Sequence, residues 1–378
     1  MQPAIESPSP RGSLRQVALL FLKLGFLAFG GPAAHIAIMQ EEVVLRRRWM
    51  TRETFLDLLA AANLIPGPSS TEMAIFIGRN QAGWPGLVAA GVCFILPAAL
   101  IVTAIAWAYV RFGALPAVAG ILYGVKPVVI AVVAQALWKL ARPAVKSWGL
   151  ALLGLAAVVA TLLGVNQLAV LAGTGALAAL IWRLSAGRAQ TPRTPMAASV
   201  AAPFGLAPLF WIFLKIGTVL FGSGYVLLAF LRADLVGRLG WLTEQQLLDA
   251  VAIGQVTPGP VFTTATFIGY LLGRGPGALV ATVAIFLPGF LLVAVGGPLI
   301  PRLRRSPLAG AALDGVVVAS LALMAVVCLQ LARAALIDPL TVAICAAVAI
   351  VLILFRVNAA WLMGAAAALG WAVGVVWG

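Results

Sequence analysis

Two Pro-Gly-Pro segments interrupt apolar stretches of the chain that would otherwise be continuous. They consist of Pro66, Gly67 and Pro68 and of Pro258, Gly259 and Pro260. Proline and glycine are the poorest helix formers, so a helix should end before each segment and a new one should begin after it. The first turn of a helix presents unpaired N–H groups and the positive end of the helix dipole, which together suit an anion. Each break is therefore a candidate anion-binding helix start.

Hydroxyl and amide side chains beside the two breaks could add hydrogen-bond donors to such a site. They are Asn63, Ser69, Ser70 and Thr71 at the first break and Gln255, Thr257, Thr263 and Thr264 at the second. The alternative is that the prolines only shape a tight helical hairpin and the hydroxyls bond to the backbone of their own helix, as is common in membrane helices. The occurrence of two copies at matching places favours the binding interpretation.

A few ionisable residues lie within apolar stretches, where each is costly unless it has a partner, a water path or a function. Lys126 lies deepest and is the strongest candidate for a counter-charge to a bound anion, and Asp314 could pair with it or cap its own helix. Lys23 and Lys215 occupy matching positions and could mark the two mouths of a pathway, or could extend to the membrane interface. Glu72 could carry a coupling proton or could merely favour a helix N-terminus.

Other polar residues indicate structure more than chemistry. Asp57 and Asp249 lie in amphipathic stretches that open with threonine, and these stretches predict interfacial helices leading into the breaks. The only histidine, His35, cannot form a histidine metal cluster, and the three cysteines lie apart in apolar stretches. We therefore expect no metal, cofactor or disulfide, and no catalytic constellation of an enzyme.

The composition determines the surroundings of the chain. Of its 378 residues, 63% are hydrophobic and 10% are charged, and the mean hydropathy is +1.08. One water-soluble core could not bury so much apolar surface, so we expect an integral membrane protein of the inner or plasma membrane, built from α-helices. The net charge of +14 does not indicate a nucleic-acid partner, because the lysines and arginines lie mostly at the ends of apolar runs.

The chain contains one module twice. The segment FLKLGFLAFGGP begins at Phe21 and FLKIGTVLFGSG begins at Phe213, and the two Pro-Gly-Pro segments follow at the same offset of 192 residues. The predicted organisation is a disordered tail over residues 1–13, a first repeat over 14–183, a linker over 184–207 and a second repeat over 208–378.

The number of membrane crossings decides how the repeats are oriented. The clear spans of the first half are 17–39, 86–110, 117–138, 148–165 and 167–183. If the Pro-Gly-Pro stretch crosses fully, each half has six spans and the halves are parallel; if it enters and returns, each half has five and they are inverted. The distribution of lysine and arginine favours about ten transmembrane helices, two re-entrant Pro-Gly-Pro segments and an outside N-terminus. Inverted repeats with matching interruptions are typical of secondary transporters that work by alternating access, with a binding site near the midplane.

The paired FLK motifs, the two PGP segments, MAIFIGRNQAGWPG with TATFIGYLLGRGPG, and GVKPVVIA together resemble the chromate ion transporter family in its long, two-domain form. The resemblance covers nearly the whole chain from about residue 14 onward. It implies export of chromate across the bacterial inner membrane and chromate resistance, with sulfate as a close mimic. The expected partners are these anions and membrane lipids, with a homodimer left open, and the alternative is a transporter or flippase for sulfate or another anionic substrate. The first copy departs from the commonest pattern at PGPSSTEM, which bears on substrate selectivity.

Overall fold

The computed structural model describes residues 12–28, 31–63, 65–113, 116–186, 204–220, 227–296, 307–355, 357 and 359–377. Within these residues the chain is helical and contains no strand, which confirms the predicted all-α class. Nearly all of the predicted tail and most of the predicted linker lie outside the described residues.

The two halves contain the same succession of helices. The first half comprises α1 (Leu14–Leu27), α2 (Gly31–Gln40), α3 (Arg52–Ala62), α4 (Ser69–Phe112), α5 (Pro116–Ala144), α6 (Trp148–Leu162) and α7 (Gln167–Ala186). The second comprises α8 (Leu206–Val219), α9 (Leu227–Leu231), α10 (Glu244–Val256), α11 (Thr264–Gly296), α12 (Pro307–Ala335), α13 (Pro339–Leu354) and α14 (Ala359–Trp377). Two π-helical segments, Glu41–Arg46 and Arg232–Arg238, extend α2 and α9.

The first apolar stretch of each half folds back on itself. In the first half, α1 ends at Ala28, whose backbone is extended, and the chain then returns far enough for Trp49 to pack against Gly12. In the second half α8 ends at an extended Leu220, and after the return the rings of Phe204 and Trp241 lie 5.2 Å apart. Both ends of each fold-back therefore lie at the same level.

This fold-back corrects two predictions. Residues 17–39 do not form one continuous span, because the helix stops at Leu27 and a second helix returns from Gly31. The start of α1 consequently lies on the same side as the arginines of residues 46–48, and the predicted placement of the N-terminus on the opposite side is wrong. Hydropathy misled the prediction because one long apolar helix and two short ones joined by a break have the same average.

The Pro-Gly-Pro stretch forms a second fold-back in each half. After the first break α4 begins as a short arm, residues 69–81, and turns at Ala82 and Gly83, where the backbone is not helical. A long arm, residues 84–112, follows, and a Cβ added at Gly78 would lie 2.2 Å from the Gly86 carbonyl, which shows how closely the two arms pack. Gln81, at the end of the short arm, donates a 3.1 Å hydrogen bond to the Trp49 carbonyl. The chain has thus returned to the level at which α3 began.

The second half repeats this arrangement. Helix α11 turns at Gly273 and Arg274 between a short arm, residues 264–272, and a long arm, residues 275–296. Close packing of Gly269 against Gly277 again brings the two arms together, and the Gly273 turn lies beside Phe204. We call the level of Gly12, Trp49 and Gln81 the first end of the molecule, and the level of Phe204, Trp241 and Gly273 the second end.

The two long arms run in opposite directions. Arg79, at the first end, donates to the carbonyls of Val293 and Ala294, where the long arm of α11 finishes. Tyr109, where the long arm of α4 finishes, donates a 2.8 Å hydrogen bond to Asp249 near the start of α10, at the second end. The matching fold-backs of the two halves therefore open toward opposite ends of the molecule.

The remaining helices interleave the two halves. Helix α5 packs along α13 and α14 of the second half, whereas α12 packs along α6 and α7 of the first. Small residues allow close approach, since a Cβ at Gly124 would lie 2.0 Å from the Ala366 carbonyl and one at Gly315 would lie 2.6 Å from the Thr174 carbonyl. Neither half could keep this packing without the other.

Apolar surface covers the outside of these helices. Within the described part of the chain, five helical stretches are long and apolar enough to cross a membrane: Ser69–Phe112, Val118–Arg142, Gln167–Leu184, Val261–Gly296 and Gly310–Ala335. Large apolar side chains such as Trp148, Leu155 and Val295 are exposed on helix surfaces, as expected for contact with lipid. The chain is a multi-pass membrane protein.

Candidate functional site

The two Pro-Gly-Pro breaks are joined to the other half of the molecule by a reciprocal pair of hydrogen bonds. The Gly67 N–H donates to the Leu220 carbonyl at 2.7 Å, and the Gly259 N–H donates to the Ala28 carbonyl at 2.9 Å. Ala28 and Leu220 are the extended residues at which α1 and α8 end. Each Pro-Gly-Pro break thus donates a hydrogen bond to the carbonyl at the end of the first helix of the other half. The two breaks are linked in this way to the ends of α8 and α1.

Both glycines are required by the backbone and by the space around them. Gly67 has φ +133° and Gly259 has φ +88°, a region that other residues rarely adopt. A Cβ at Gly259 would lie 2.7 Å from the Ala98 Cβ, midway along the long arm of α4. A Cβ at Gly67 would lie 2.0 Å from Oε1 of Glu72. The breaks therefore lie at the middle of the long arms, where the two halves meet.

Glu72 occupies the first break. Its side chain is fully buried, and among the described residues neither carboxyl oxygen has a hydrogen-bond partner. From the other half, Gly289 on the long arm of α11 faces it, since a Cβ there would lie 3.0 Å from Oε1. The hydroxyl of Thr71 beside it is also buried and has no hydrogen-bond partner in the described part of the chain. The first break thus encloses polar side-chain atoms to which no described residue is hydrogen-bonded.

The second break uses its hydroxyls internally. Thr263 and Thr264 donate to the carbonyls of Pro260 and Val261, both at 2.8 Å, and Thr257 donates to the Ile253 carbonyl at 3.0 Å. These three hydroxyls follow the alternative interpretation, in which the side chain bonds to the backbone of its own helix.

The other predicted donors lie at different depths around the breaks. Asn63 is exposed at the end of α3, Gln255 and Ser69 are half-buried, and Ser70 is buried. The amides of Thr71 and Glu72 both donate to the Pro68 carbonyl. The amides of Ser69 and Ser70, the first two of α4, have no backbone acceptor within the described residues.

The lysines at matching positions form matching ion pairs away from the breaks. Lys23 Nζ lies 2.9 Å from Glu42 Oε1, and Lys215 pairs with Asp234. Glu42 and Asp234 are buried, whereas both lysines are partly exposed. Each pair joins the outgoing helix of a fold-back to its return, so in this structure both lysines already have a structural partner.

Lys126 is paired across the two halves. Its Nζ lies 2.9 Å from Asp249 Oδ1 and donates to Gln245 at 2.7 Å, and the Tyr109 hydroxyl reaches the other carboxylate oxygen at 2.8 Å. The Lys126 and Asp249 side chains are only 16% and 6% exposed, so this is a largely buried ion pair. The suggested pairing of Lys126 with Asp314 is wrong, because Asp314 instead pairs with Lys146 at 2.7 Å.

The role of Asp249 was not predicted from the sequence, where its position indicated an interfacial carboxylate. Asp249 is instead buried, with an ion pair to Lys126 on α5 and a hydrogen bond from Tyr109 on α4 of the other half. One signal was available: Asp249 has a counterpart in Asp57, but the position matching Lys126 is Val317. The lysine of this ion pair therefore has no equivalent in the second half.

The described residues contain no cluster of histidine, cysteine, aspartate and glutamate suited to a metal ion. His35 is buried, and its ring packs edge-on against Phe94 at 5.7 Å.

Comparison with known proteins places the chain in a family. The family described as Chromate transporter matches residues 15–180 and 207–371. The chain is 35% identical to the chromate transport protein of Cupriavidus metallidurans over 347 residues, which is 87% of this chain and 85% of that protein. It is 34% identical over 345 residues to the probable chromate transport protein of Synechococcus elongatus, with 87% of each chain covered.

A shorter relative matches only part of the chain. The uncharacterized transporter YwrA of Bacillus subtilis is 32% identical over 131 residues, which is 35% of this chain and 74% of that protein. No solved structure matches the chain.

Proposed function

The chain belongs to the chromate transporter family, and from that premise we propose that it exports chromate from the bacterial cytoplasm through a site at the two Pro-Gly-Pro breaks. The family is one of transporters rather than enzymes. The observation that carries the proposal is the reciprocal pair of hydrogen bonds that ties each break to the other half.

The chemistry of the breaks supports an oxyanion ligand. The start of α4 offers the amides of Ser69 and Ser70 and the positive end of a helix dipole, and Ser70 itself is buried. A tetrahedral dianion accepts several such hydrogen bonds at once. Chromate is the substrate that the relatives' names give, and sulfate has the same shape and charge.

The oppositely directed halves support an alternating-access mechanism. Two re-entrant elements would enter the membrane from opposite faces, each tied by its glycine to the end of the other half's first helix, which fits an inverted repeat with a central site. Rocking of one half against the other would break and remake the two glycine hydrogen bonds. Each break would then face one side of the membrane in turn.

The membrane potential favours export. With the interior negative, moving one charge outward gains about 2.3 kcal/mol per 100 mV, and a dianion gains roughly twice that. Since about 1.4 kcal/mol is a factor of ten, a potential of that size could support an outward gradient of roughly a thousandfold at equilibrium. The potential alone could therefore drive export of an uncoupled dianion.

The positive charges of the described residues support an orientation with the first end in the cytoplasm. That end carries Arg15, Arg46, Arg47, Arg48, Arg52, Arg79, Lys139, Arg142, Lys146 and Arg183, whereas the second end carries Arg111, Arg232, Arg238, Arg274 and Arg333. An inner-membrane location, which we propose for a bacterial exporter, would put the first end in the cytoplasm.

The orientation predicts different labelling of two exposed loop residues that flank α6. After replacement of the native cysteines by serine, Leu163→Cys should react with an impermeant thiol reagent in whole cells, because it lies toward the second end. Val145→Cys should react only after the membrane is opened. The reverse pattern would overturn the orientation.

The function is tested by chromate uptake into everted membrane vesicles that contain the protein. We expect chromate to accumulate, and an interior-positive potential to raise the initial rate several-fold, because the anion is drawn to the lumen. Vesicles without the protein are the control. Absence of chromate uptake both with and without the potential would contradict the export proposal. Uptake of sulfate while chromate neither crosses nor competes would assign the protein to another anion.

A further inference from the structure

The first break already contains a negatively ionisable group. Glu72 lies in the first turn of α4, and its carboxyl reaches back to Gly67, the glycine of the break. It is fully buried, and neither oxygen has a hydrogen-bond partner among the described residues. A carboxylate without a partner is costly to bury, so its position at this depth calls for a functional explanation.

A dianion at the same helix start conflicts with an ionised Glu72. The helix start and the carboxyl occupy the same small region, because the carboxyl oxygen lies against Gly67 on one side and Gly289 on the other. Like charges at such distances repel strongly in surroundings of low dielectric constant. The dianion and the carboxylate therefore exclude one another, whereas the dianion and a neutral carboxyl do not.

Charged groups on the surrounding helices do not neutralise Glu72. Lys23 on α1 pairs with Glu42, and Lys215 on α8 pairs with Asp234. Arg79, on the same short arm, donates to carbonyls at the end of α11. The His35 ring on α2 packs against Phe94, and α11 carries its only charged residue, Arg274, at the second-end turn. Among the described residues no positively charged side chain contacts Glu72, and a proton can neutralise it.

The second break lacks this feature. Thr264 takes the matching position, and its hydroxyl bonds to the Val261 carbonyl and packs against Gly254, where a Cβ would lie 2.1 Å from it. The negative charge is thus confined to one of two otherwise matching breaks, which gives the pathway a polarity that the repeat alone would not have.

From this geometry we infer that Glu72 is an internal carboxylate that competes with the oxyanion for the first break, so that oxyanion binding and protonation of Glu72 occur together. The inference rests on the proposed oxyanion site. By linkage, the oxyanion raises the affinity of Glu72 for a proton, and the proton raises the affinity for the oxyanion by the same factor. Transport by the intact protein then follows the proton concentration on the side from which the anion enters.

Chromate binding to the purified protein over a range of alkaline pH tests this coupling, because chromate itself stays a dianion there. In the wild type the affinity should fall by up to about tenfold for each unit of pH, as expected when one proton is linked to binding. Glu72→Gln keeps the shape of the side chain without its charge, and its affinity should be independent of pH. Glu41→Gln, which removes an exposed carboxylate away from the breaks, should retain the wild-type slope.

A second variant covers the case in which Glu72→Gln does not fold. Gly289→Ala places a methyl group 3.0 Å from the carboxyl oxygen and should move the pH midpoint of binding, whereas the Glu41→Gln control should keep the wild-type midpoint. Equal pH slopes in the wild type and Glu72→Gln, or a midpoint that Gly289→Ala does not move, would overturn the inference while chromate binding stands. Failure of the wild type to bind chromate at any pH would instead refute the proposed function.

Discussion

Replacing Lys126 with methionine should destabilise the protein by about 3 to 5 kcal/mol, the loss expected when one member of a buried ion pair is removed. The change leaves Asp249 with its Tyr109 hydrogen bond but without a cation, and the Asp249 side chain is only 6% exposed. Thermal unfolding of the purified protein in detergent measures the loss. A matched surface pair is available, since Lys146→Met removes the partner of a better exposed Asp314 and should cost less than about 1 kcal/mol.

A double variant separates the structural role of Lys126 from a direct role in transport. Lys126→Met with Asp249→Asn removes both charges, and the introduced amide oxygen can still accept the Tyr109 hydrogen bond, so most of the lost stability should return. If Lys126 only holds the halves together, chromate transport should return with the stability. If Lys126 also touches the anion, the double variant will be stable and inactive. Full stability of the single variant would contradict the buried ion pair itself.

The class of the protein and the location of its breaks could be predicted because both depend on local properties of the chain. Apolar runs require lipid, and Pro66 and Pro68 cannot be accommodated in an uninterrupted helix. The repeat added the correspondence of Gly67 with Gly259 without any knowledge of the fold. The hydrogen bonds that these glycines make could not be predicted, because each acceptor lies in the other half.

The break after α1 was missed although its signal resembles that of the Pro-Gly-Pro segments. Residues 30–32 read Gly-Gly-Pro, yet hydropathy continues unchanged through them to residue 39. The ion pair of Lys23 with Glu42 shows what the average conceals: a lysine and a glutamate 19 residues apart can meet only if the chain between them turns back. Charged pairs at the flanks of an apolar run therefore distinguish a fold-back from a crossing helix.

The ligand environment of the candidate site was the hardest part to predict, since hydroxyl residues serve two purposes. The sequences after the two breaks, SST and VFTT, offer similar side chains. Thr263 and Thr264 bond to the backbone of their own segment, whereas no described residue is hydrogen-bonded to the Thr71 hydroxyl. The two breaks differ in the space beside them. Gly289 leaves room for the Glu72 carboxyl at the first break, and Gly254 leaves room for the Thr264 hydroxyl at the second.

Replacing Gly67 with alanine should lower chromate transport at least about tenfold. At φ +133° the backbone strain is about 1 to 3 kcal/mol, and the new methyl group would lie 2.0 Å from Oε1 of Glu72, which adds about 1 to 3 kcal/mol of overpacking. Movement of the break to relieve that contact also displaces the N–H that donates to the Leu220 carbonyl. We expect at least about a tenfold loss of initial chromate uptake at equal protein level, because about 1.4 kcal/mol at the site is enough for that factor.

Two further variants separate backbone strain from the contact with Glu72. Gly83→Ala also places alanine at a positive φ, +63°, but a Cβ there meets nothing within 4 Å, so it should cost only the backbone term and leave most of the transport. Gly67→Ala combined with Glu72→Ala removes the group that the methyl strikes and should recover stability relative to Gly67→Ala alone. If Gly67→Ala transports as well as Gly83→Ala, the packing at the first break does not control the pathway, and the oxyanion must cross the protein elsewhere.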